Sequence, residues 1–168
     1  TVIPAISRTE DGVDILKQSA SKDVLIMSVG AMASTALQVA DLLAAQGIGA
    51  TVIDPRWVVP VPKSVVTMSA EHRLVVTIED GIKVGGIGTR VRQDLRDAQV
   101  DTALTEIGLP DEFIDHATRN EILEDAGLTA QSIARDIVAQ VVGSRIPHAR
   151  SVDASSSSSE ATKPSTIN

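Results

Sequence analysis

Apolar residues cluster in short runs along this chain, and the segments between the runs carry apolar residues at a helical period. The runs cover residues 24–29, 50–53 and 74–78, and a weaker one covers residues 101–107. Short runs rich in Val, Ile and Leu are typical of strands that are buried on both faces. The pattern therefore predicts four buried strands.

The intervening segments predict helices. The first is expected to begin at a cap formed by Ser34 or Thr35 and to end at Gly47, because hydroxyl side chains favour helix starts and glycine favours helix ends. A helix over residues 89–98 would turn Val91 and Leu95 inward and its arginines outward. Three more helices are expected, at residues 63–70, from the cap Thr118 to Gly127, and after the cap Thr129, with Ile133, Ile137, Val138 and Val141 as one stripe.

The alternation of strands and helices predicts the fold class and the domain limits. We expect an α/β fold, a three-layer α/β/α arrangement with a mostly parallel sheet of four to five strands. Residues 23–143 would form this domain. Residues 1–22, with a possible hairpin turn at residues 10–12, are expected to lead in from a missing preceding domain. Residues 144–168 form a Ser-rich tail whose composition predicts disorder.

Composition excludes several classes of function. The net charge of -7 argues against a nucleic-acid surface and against binding to anionic membranes. The chain has no cysteine, and His72, His116 and His148 share no metal-ligand spacing. No apolar run approaches the length of about 20 residues that spans a bilayer. The chain begins at Thr1 without an initiator Met or a signal-peptide pattern, so we expect a fragment or a processed chain.

The first candidate site is the end of the first predicted strand, at residues 29–34. In doubly wound sheets ligands bind beyond the carboxyl ends of the strands, where a helix N-terminus can hold an anion. The segment lacks the glycine spacing of a dinucleotide or phosphate loop. A tight turn between strand and helix is therefore favoured over ligand binding.

The second candidate site combines two carboxylates with glycines. Glu79 and Asp80 close the third strand, and Gly85, Gly86 and Gly88 follow. Glycines permit positive φ and a close approach of another backbone. We favour an interface loop, packed against another domain or subunit, over nucleotide binding. A structural role for Glu79, which could accept backbone N–H groups, is the other alternative.

The third candidate site is His116, which lies among acidic residues in the segment 111–119. A histidine beside carboxylates could act in acid–base chemistry. No Ser or Cys nucleophile is visibly paired with it, so a structural role is favoured. Trp57, which follows Pro55 and Arg56, is expected to be a packing anchor.

Three segments together resemble a known family. They resemble segments of the deoxyxylulose-phosphate synthases. The first is residues 47–58, which contain Asp-Pro-Arg-Trp-Val, and the second is residues 76–88, with Thr-Ile-Glu-Asp before the glycines. The third is residues 108–116, Gly-Leu-Pro-Asp-Glu-Phe-Ile-Asp-His. These are transketolase-like thiamine-diphosphate enzymes. Order and spacing match over residues 23–142, so the resemblance is to the C-terminal, third domain.

The resemblance implies what the complete protein does. Such a transferase condenses pyruvate with glyceraldehyde 3-phosphate, releases carbon dioxide and supplies isoprenoid, thiamine and pyridoxal biosynthesis. It would use thiamine diphosphate and Mg²⁺ and act as a cytoplasmic homodimer, and its third domain would support the dimer and the other two domains. The family's metal motif and catalytic residues lie in the first two domains. No catalytic, cofactor-binding or metal residue is therefore expected in this chain, which alone would be inactive.

Two alternatives remain open from the sequence. The C-terminal domain of a 2-oxo acid dehydrogenase β chain or of a transketolase would have the same fold but would differ in the Asp-x-Arg-x-Val and Phe-x-x-His motifs. A non-catalytic interaction module would use the same domain to dock a partner, and an intact gene that encodes only this domain would support it.

Overall fold

The computed structural model describes residues 3–111 and 118–145. Its strands are β1 (Ser7–Arg8), β2 (Val13–Lys17), β3 (Val24–Val29), β4 (Ala50–Pro55), β5 (Leu74–Ile82) and β6 (Ala103–Leu109). Its helices are α1 (Ala33–Ala45), α2 (Lys63–Glu71), α3 (Ile87–Asp97), α4 (Arg119–Asp125) and α5 (Ala130–Arg145). A short 3-10 turn, Gly30–Met32, joins β3 to α1.

The strands of the described residues form one sheet in the order β1-β2-β4-β3-β5-β6. Strand β3 lies between β4 and β5, and Met27 pairs in parallel with Ile53 on one side and with Thr77 on the other. Strand β6 pairs in parallel with β5, whereas the hairpin β1–β2 joins the sheet antiparallel to β4. The parallel strands therefore all end at the same edge of the sheet.

Helices cover both faces of the sheet, and side chains of β3 alternate between the two. Val24 and Ile26 pack with α1 and α5, whereas Leu25 and Met27 pack with α2 and α3. All four side chains are fully buried. Aliphatic residues supply most of this core. The three-layer α/β/α fold with a mostly parallel sheet is thus confirmed.

The sheet has six strands, where four to five were expected. The two extra strands come from residues 1–22, the segment that the sequence set apart as a lead-in. Val13 is fully buried and pairs with Pro55, so β2 completes the core beside β4. The hairpin turn expected near Gly12 is present, and Gly12 has a φ of 87°.

Helix ends largely follow the sequence signals. Thr118 and Glu121 form a capping box at α4, Thr129 accepts the N–H of Ser132 at the start of α5, and Gly47 has a φ of 73° just after α1. The expected cap of α1 by Ser34 or Thr35 is wrong. The 3-10 turn leads directly into α1, so both residues are already inside the helix.

Candidate functional site

The edge at which the parallel strands end carries the sequence motifs that the structure describes. We call this the carboxyl edge and define it by the end of β5, residues 79–82, and by the segments 30–34, 56–62 and 83–86, which follow β3, β4 and β5. In parallel α/β sheets this is where ligands bind. The question is which of its polar groups are available for a ligand.

Glu79 is the most buried carboxylate at the carboxyl edge, with 6% of its surface exposed. One carboxylate oxygen, Oε2, accepts the N–H of Ile87 at 3.0 Å, and Oε1 accepts the N–H of Gly88 at 3.1 Å. These are the first two residues of α3. The protein's own carboxylate therefore fills the position at a helix N-terminus where other folds hold a ligand anion.

The glycines of the second motif make this arrangement possible. A Cβ atom on Gly86 would lie 2.5 Å and 2.6 Å from the two carboxylate oxygens of Glu79, and one on Gly88 would lie 2.5 Å from Oγ1 of Thr77. Gly85 has a φ of 75°, a backbone angle that residues with a side chain rarely adopt. The close approach that the glycines predicted is thus made within the chain. Use of the same loop as an interface stays a prediction.

Asp80, the second carboxylate of this motif, also has a partner inside the chain. Its Oδ2 atom accepts hydrogen bonds from Nε and Nη2 of Arg119 at 3.0 Å and 2.6 Å. Arg119 is the first residue of α4, so the ion pair ties the start of that helix to β5. Both carboxylates of the motif therefore have structural partners, and the structural alternative for Glu79 is confirmed.

The first motif lies beside a cavity of about 430 Å³ at the end of β3. Ile3, Gly30, Ala31, Ala33 and Ser34 line it, so its walls offer one hydroxyl and no charged side chain. Gly30 has a φ of 64°, which fits the tight turn that was favoured here. Ligand binding, the less favoured alternative, has no charged side chain in the cavity walls to support it.

Asp11, in the turn of the hairpin, is a carboxylate that sequence reasoning did not single out. It accepts the N–H of Ser64 at 2.8 Å and the hydroxyl of Thr9 at 2.6 Å. These hydrogen bonds lower the pKa of Asp11 to about 2. Ser64 is in the first turn of α2, which begins after Pro62 without a side-chain cap of its own. Asp11 therefore caps α2 from a different element.

His72 is a buried titratable group away from the carboxyl edge, between α2 and the start of β5. Its Nδ1 atom donates to the carbonyl oxygen of Met68 at 2.7 Å, and its buried Nε2 atom has no hydrogen-bond partner in the part of the chain described. Burial lowers the pKa of His72 and so favours the neutral ring. His72 lies before the amino end of β5 and therefore apart from the motifs of the carboxyl edge.

The other candidate residues have mixed outcomes. His116 lies outside the described residues, so its role stays a prediction. Trp57 is 74% exposed, and the expectation that it anchors packing within this chain is wrong. Trp57 lies in the loop that follows β4.

Within residues 3–111 and 118–145, no cluster of three or more His, Cys, Asp or Glu side chains could hold a metal ion. The two carboxylates of the second motif are engaged with α3 and Arg119. In the same ranges, no helix is long and apolar enough to cross a membrane.

Comparison with known proteins gives a consistent picture. Residues 13–133 match the family described as transketolase, C-terminal domain. The chain is 70% identical over 148 residues to a 1-deoxy-D-xylulose-5-phosphate synthase of Leifsonia xyli subsp. xyli, and 69% identical to one of Clavibacter sepedonicus. Each alignment covers 88% of this chain. The chain spans only 23% of the length of these relatives.

Solved structures with the same fold include a split-gene transketolase, described as an inactive beta4 tetramer. It is 29% identical, with a TM-score of 0.70, over 81% of this chain and 44% of that one. A transketolase from Pichia stipitis is 17% identical with a TM-score of 0.59, over 79% of this chain and 18% of that one. The second likeness shows the shared fold alone.

Proposed function

Because the chain belongs to the transketolase C-terminal domain family, we propose that it is the C-terminal domain of a 1-deoxy-D-xylulose-5-phosphate synthase. The relatives that are 70% and 69% identical carry that name, and this chain corresponds to their C-terminal part. The domain supports the remainder of the enzyme and its dimer, and does not itself perform the chemistry.

The engagement of Glu79 carries the proposal of a supporting role. A general acid or base must reach a substrate, yet both carboxylate oxygens of Glu79 accept N–H groups from α3. Gly86 packs so closely on this carboxylate that a Cβ atom there would lie 2.5 Å from one of its oxygens. An α/β domain would bind a substrate at the carboxyl edge. In this chain, the most buried acidic residue of that edge instead stabilises the contact between β5 and α3.

The chemistry then belongs to the remainder of the longer protein. Thiamine diphosphate with Mg²⁺ supplies the carbanion chemistry that joins pyruvate to glyceraldehyde 3-phosphate with loss of carbon dioxide. In this proposal the enzyme is a cytoplasmic homodimer whose product feeds isoprenoid, thiamine and pyridoxal synthesis. Residues 1–22 lead in from the preceding domain and add the hairpin β1–β2 to the sheet of the supporting domain, residues 23–143 form the rest of that domain, and residues 144–168 are a tail.

The proposal is tested by comparing two proteins, the 168-residue chain and the longer polypeptide encoded by the same gene. The longer protein is expected to release carbon dioxide from pyruvate when glyceraldehyde 3-phosphate, thiamine diphosphate and Mg²⁺ are present. The cofactor and Mg²⁺ should also raise its melting temperature, because a ligand that binds only the folded state stabilises it. Neither effect is expected for the short chain. Turnover by the short chain, or an inactive longer protein, would overturn the proposal.

The split-gene transketolase supports a second candidate, the C-terminal domain of a transketolase, because it is 29% identical to this chain. Assays of the same longer protein distinguish the transketolase from the 1-deoxy-D-xylulose-5-phosphate synthase. A transketolase transfers a two-carbon unit between sugar phosphates and needs no pyruvate. Activity with xylulose 5-phosphate and ribose 5-phosphate, and none with pyruvate, would favour the transketolase. A gene that encodes this domain alone would favour the interaction module.

A further inference from the structure

Large apolar side chains stand exposed in two loops of the carboxyl edge. Trp57 and Val59, in the loop after β4, are 74% and 61% exposed. Ile82 and Val84, at the end of β5 and just beyond it, are 52% and 68% exposed. Trp57 is the only tryptophan of the chain. Tryptophan is enriched at the centres of protein interfaces, and clustered apolar exposure marks interaction sites.

The sheet topology places the two loops side by side. Strands β4 and β5 both pair in parallel with β3, so their carboxyl ends lie on either side of the end of β3. Because neighbouring strands are spaced by about 5 Å, the two loops leave the sheet about 10 Å apart. The cavity of about 430 Å³ lies at the end of β3, the strand that separates β4 from β5. The carboxyl edge thus presents exposed apolar side chains in the two loops on either side of the strand β3.

The start of the described chain lies at the same place. Ile3 lines that cavity together with residues 30–34 and packs against the core on the α1 side. In a protein of the relatives' length, of which this chain is the C-terminal 23%, the polypeptide before Thr1 joins the domain through this region. The preceding part is therefore held close to the apolar loops by its own connection, which raises its effective concentration there.

We propose that the carboxyl edge of the sheet is the surface on which the preceding part of the same polypeptide docks. Trp57, Val59, Ile82 and Val84 are the apolar centre of that contact. This inference rests on the proposed function, because it requires the longer protein, but it names a surface that the family assignment does not. It also gives a reason for the exposure of Trp57 in the chain by itself.

Cysteine labelling tests the proposal directly, because the chain has no cysteine. Val84→Cys and Val59→Cys place a thiol in each of the two loops. Val142→Cys is the matched control, since Val142 is also exposed, at 50%, but lies on α5. In the longer protein, thiols at 84 and 59 are expected to react at least about tenfold more slowly than at 142, because they react only when the interface opens. In the 168-residue chain the three should react at similar rates.

The outcomes separate the docking surface from the proposed function. Equal reactivity at positions 84, 59 and 142 in the longer protein would overturn the docking surface, whether or not that protein is active. Protection that is lost when the longer protein is diluted to monomers would assign the edge to a second subunit and would also overturn it. Protection together with absent synthase activity would leave the docking surface standing and overturn the proposed function.

Discussion

At the scale of one residue, Glu79 is an acidic side chain that lies where α/β domains bind ligands but holds two elements of the fold together. The strand leaves its carboxylate buried, with 6% exposed, directly beneath the first two N–H groups of α3. A buried charge is tolerated only when it is hydrogen-bonded, and a helix start provides both donors and a favourable dipole. The residue therefore joins β5 to α3.

Replacement of Glu79 by Gln is expected to lower the free energy of unfolding by about 1–3 kcal/mol, because the amide group cannot accept both N–H groups and carries no charge. Glu71→Gln is the control, since Glu71 forms only an exposed ion pair with Lys22 and should cost less than about 1 kcal/mol. Urea unfolding of both variants measures the difference. Equal losses would show that the carboxylate of Glu79 contributes no more than an exposed surface ion pair.

At the scale of elements, the hairpin β1–β2 does more than extend the sheet. Its turn supplies Asp11, which accepts the N–H of Ser64 at 2.8 Å in the first turn of α2. Helix α2 begins after Pro62 and has no side-chain cap from its own segment. The hairpin and α2 are therefore coupled, and the order of one supports the other.

Asp11→Ala is expected to lower the free energy of unfolding by about 1 kcal/mol, the usual contribution of a helix N-cap. The control is Glu10→Ala, a neighbouring exposed carboxylate for which the structure gives no hydrogen bond or ion pair. Urea midpoints of the two variants are compared at neutral pH. A midpoint for Asp11→Ala no lower than that of Glu10→Ala would show that the contact with Ser64 does not stabilise α2.

For the whole molecule, two titrating groups change the free energy of unfolding in separate pH ranges. The pKa of Asp11 is lowered to about 2 from 3.8, so its contribution is present above 3.8 and is lost as the pH falls towards 2. Burial lowers the pKa of His72 from 6.5, and the hydrogen bond to the carbonyl of Met68 opposes this shift in part. The charges of Lys22, Glu71 and Asp23 have smaller effects. The unfolded chain therefore binds a proton at His72 at a higher pH than the folded chain does.

Stability is accordingly expected to be greatest above pH 6.5 and to fall as the pH drops below it, by at most about 1.4 kcal/mol per pH unit for this one proton. Urea unfolding at pH 7.5 and pH 5.5 measures the fall. His72→Gln, which cannot be protonated, should lose less stability between the two values. A variant with the same pH dependence as the unchanged chain would show that another group causes the fall.

The sequence by itself determined the features that depend on residues close together along the chain, such as the bounds of strands and the buried faces of helices. The run of apolar residues at 24–29 gave β3 its observed bounds, Val24–Val29, because a strand buried on both faces is apolar throughout. The stripe on α5 followed from the helical period, and Ile133, Ile137 and Val141 are buried as expected, with Val138 partly buried. The fold class and the family segments were also readable from local order and spacing.

Only the tertiary structure decided which distant groups meet. That Glu79 faces the start of α3, that Asp11 caps α2 and that the hairpin completes the sheet all depend on contacts between separate segments. The exposure of Trp57 was decided in the same way, because a tryptophan in a loop is buried only if another element packs on it. Periodicity describes one segment at a time, whereas these contacts follow from the order in which the strands pair and the helices cover them.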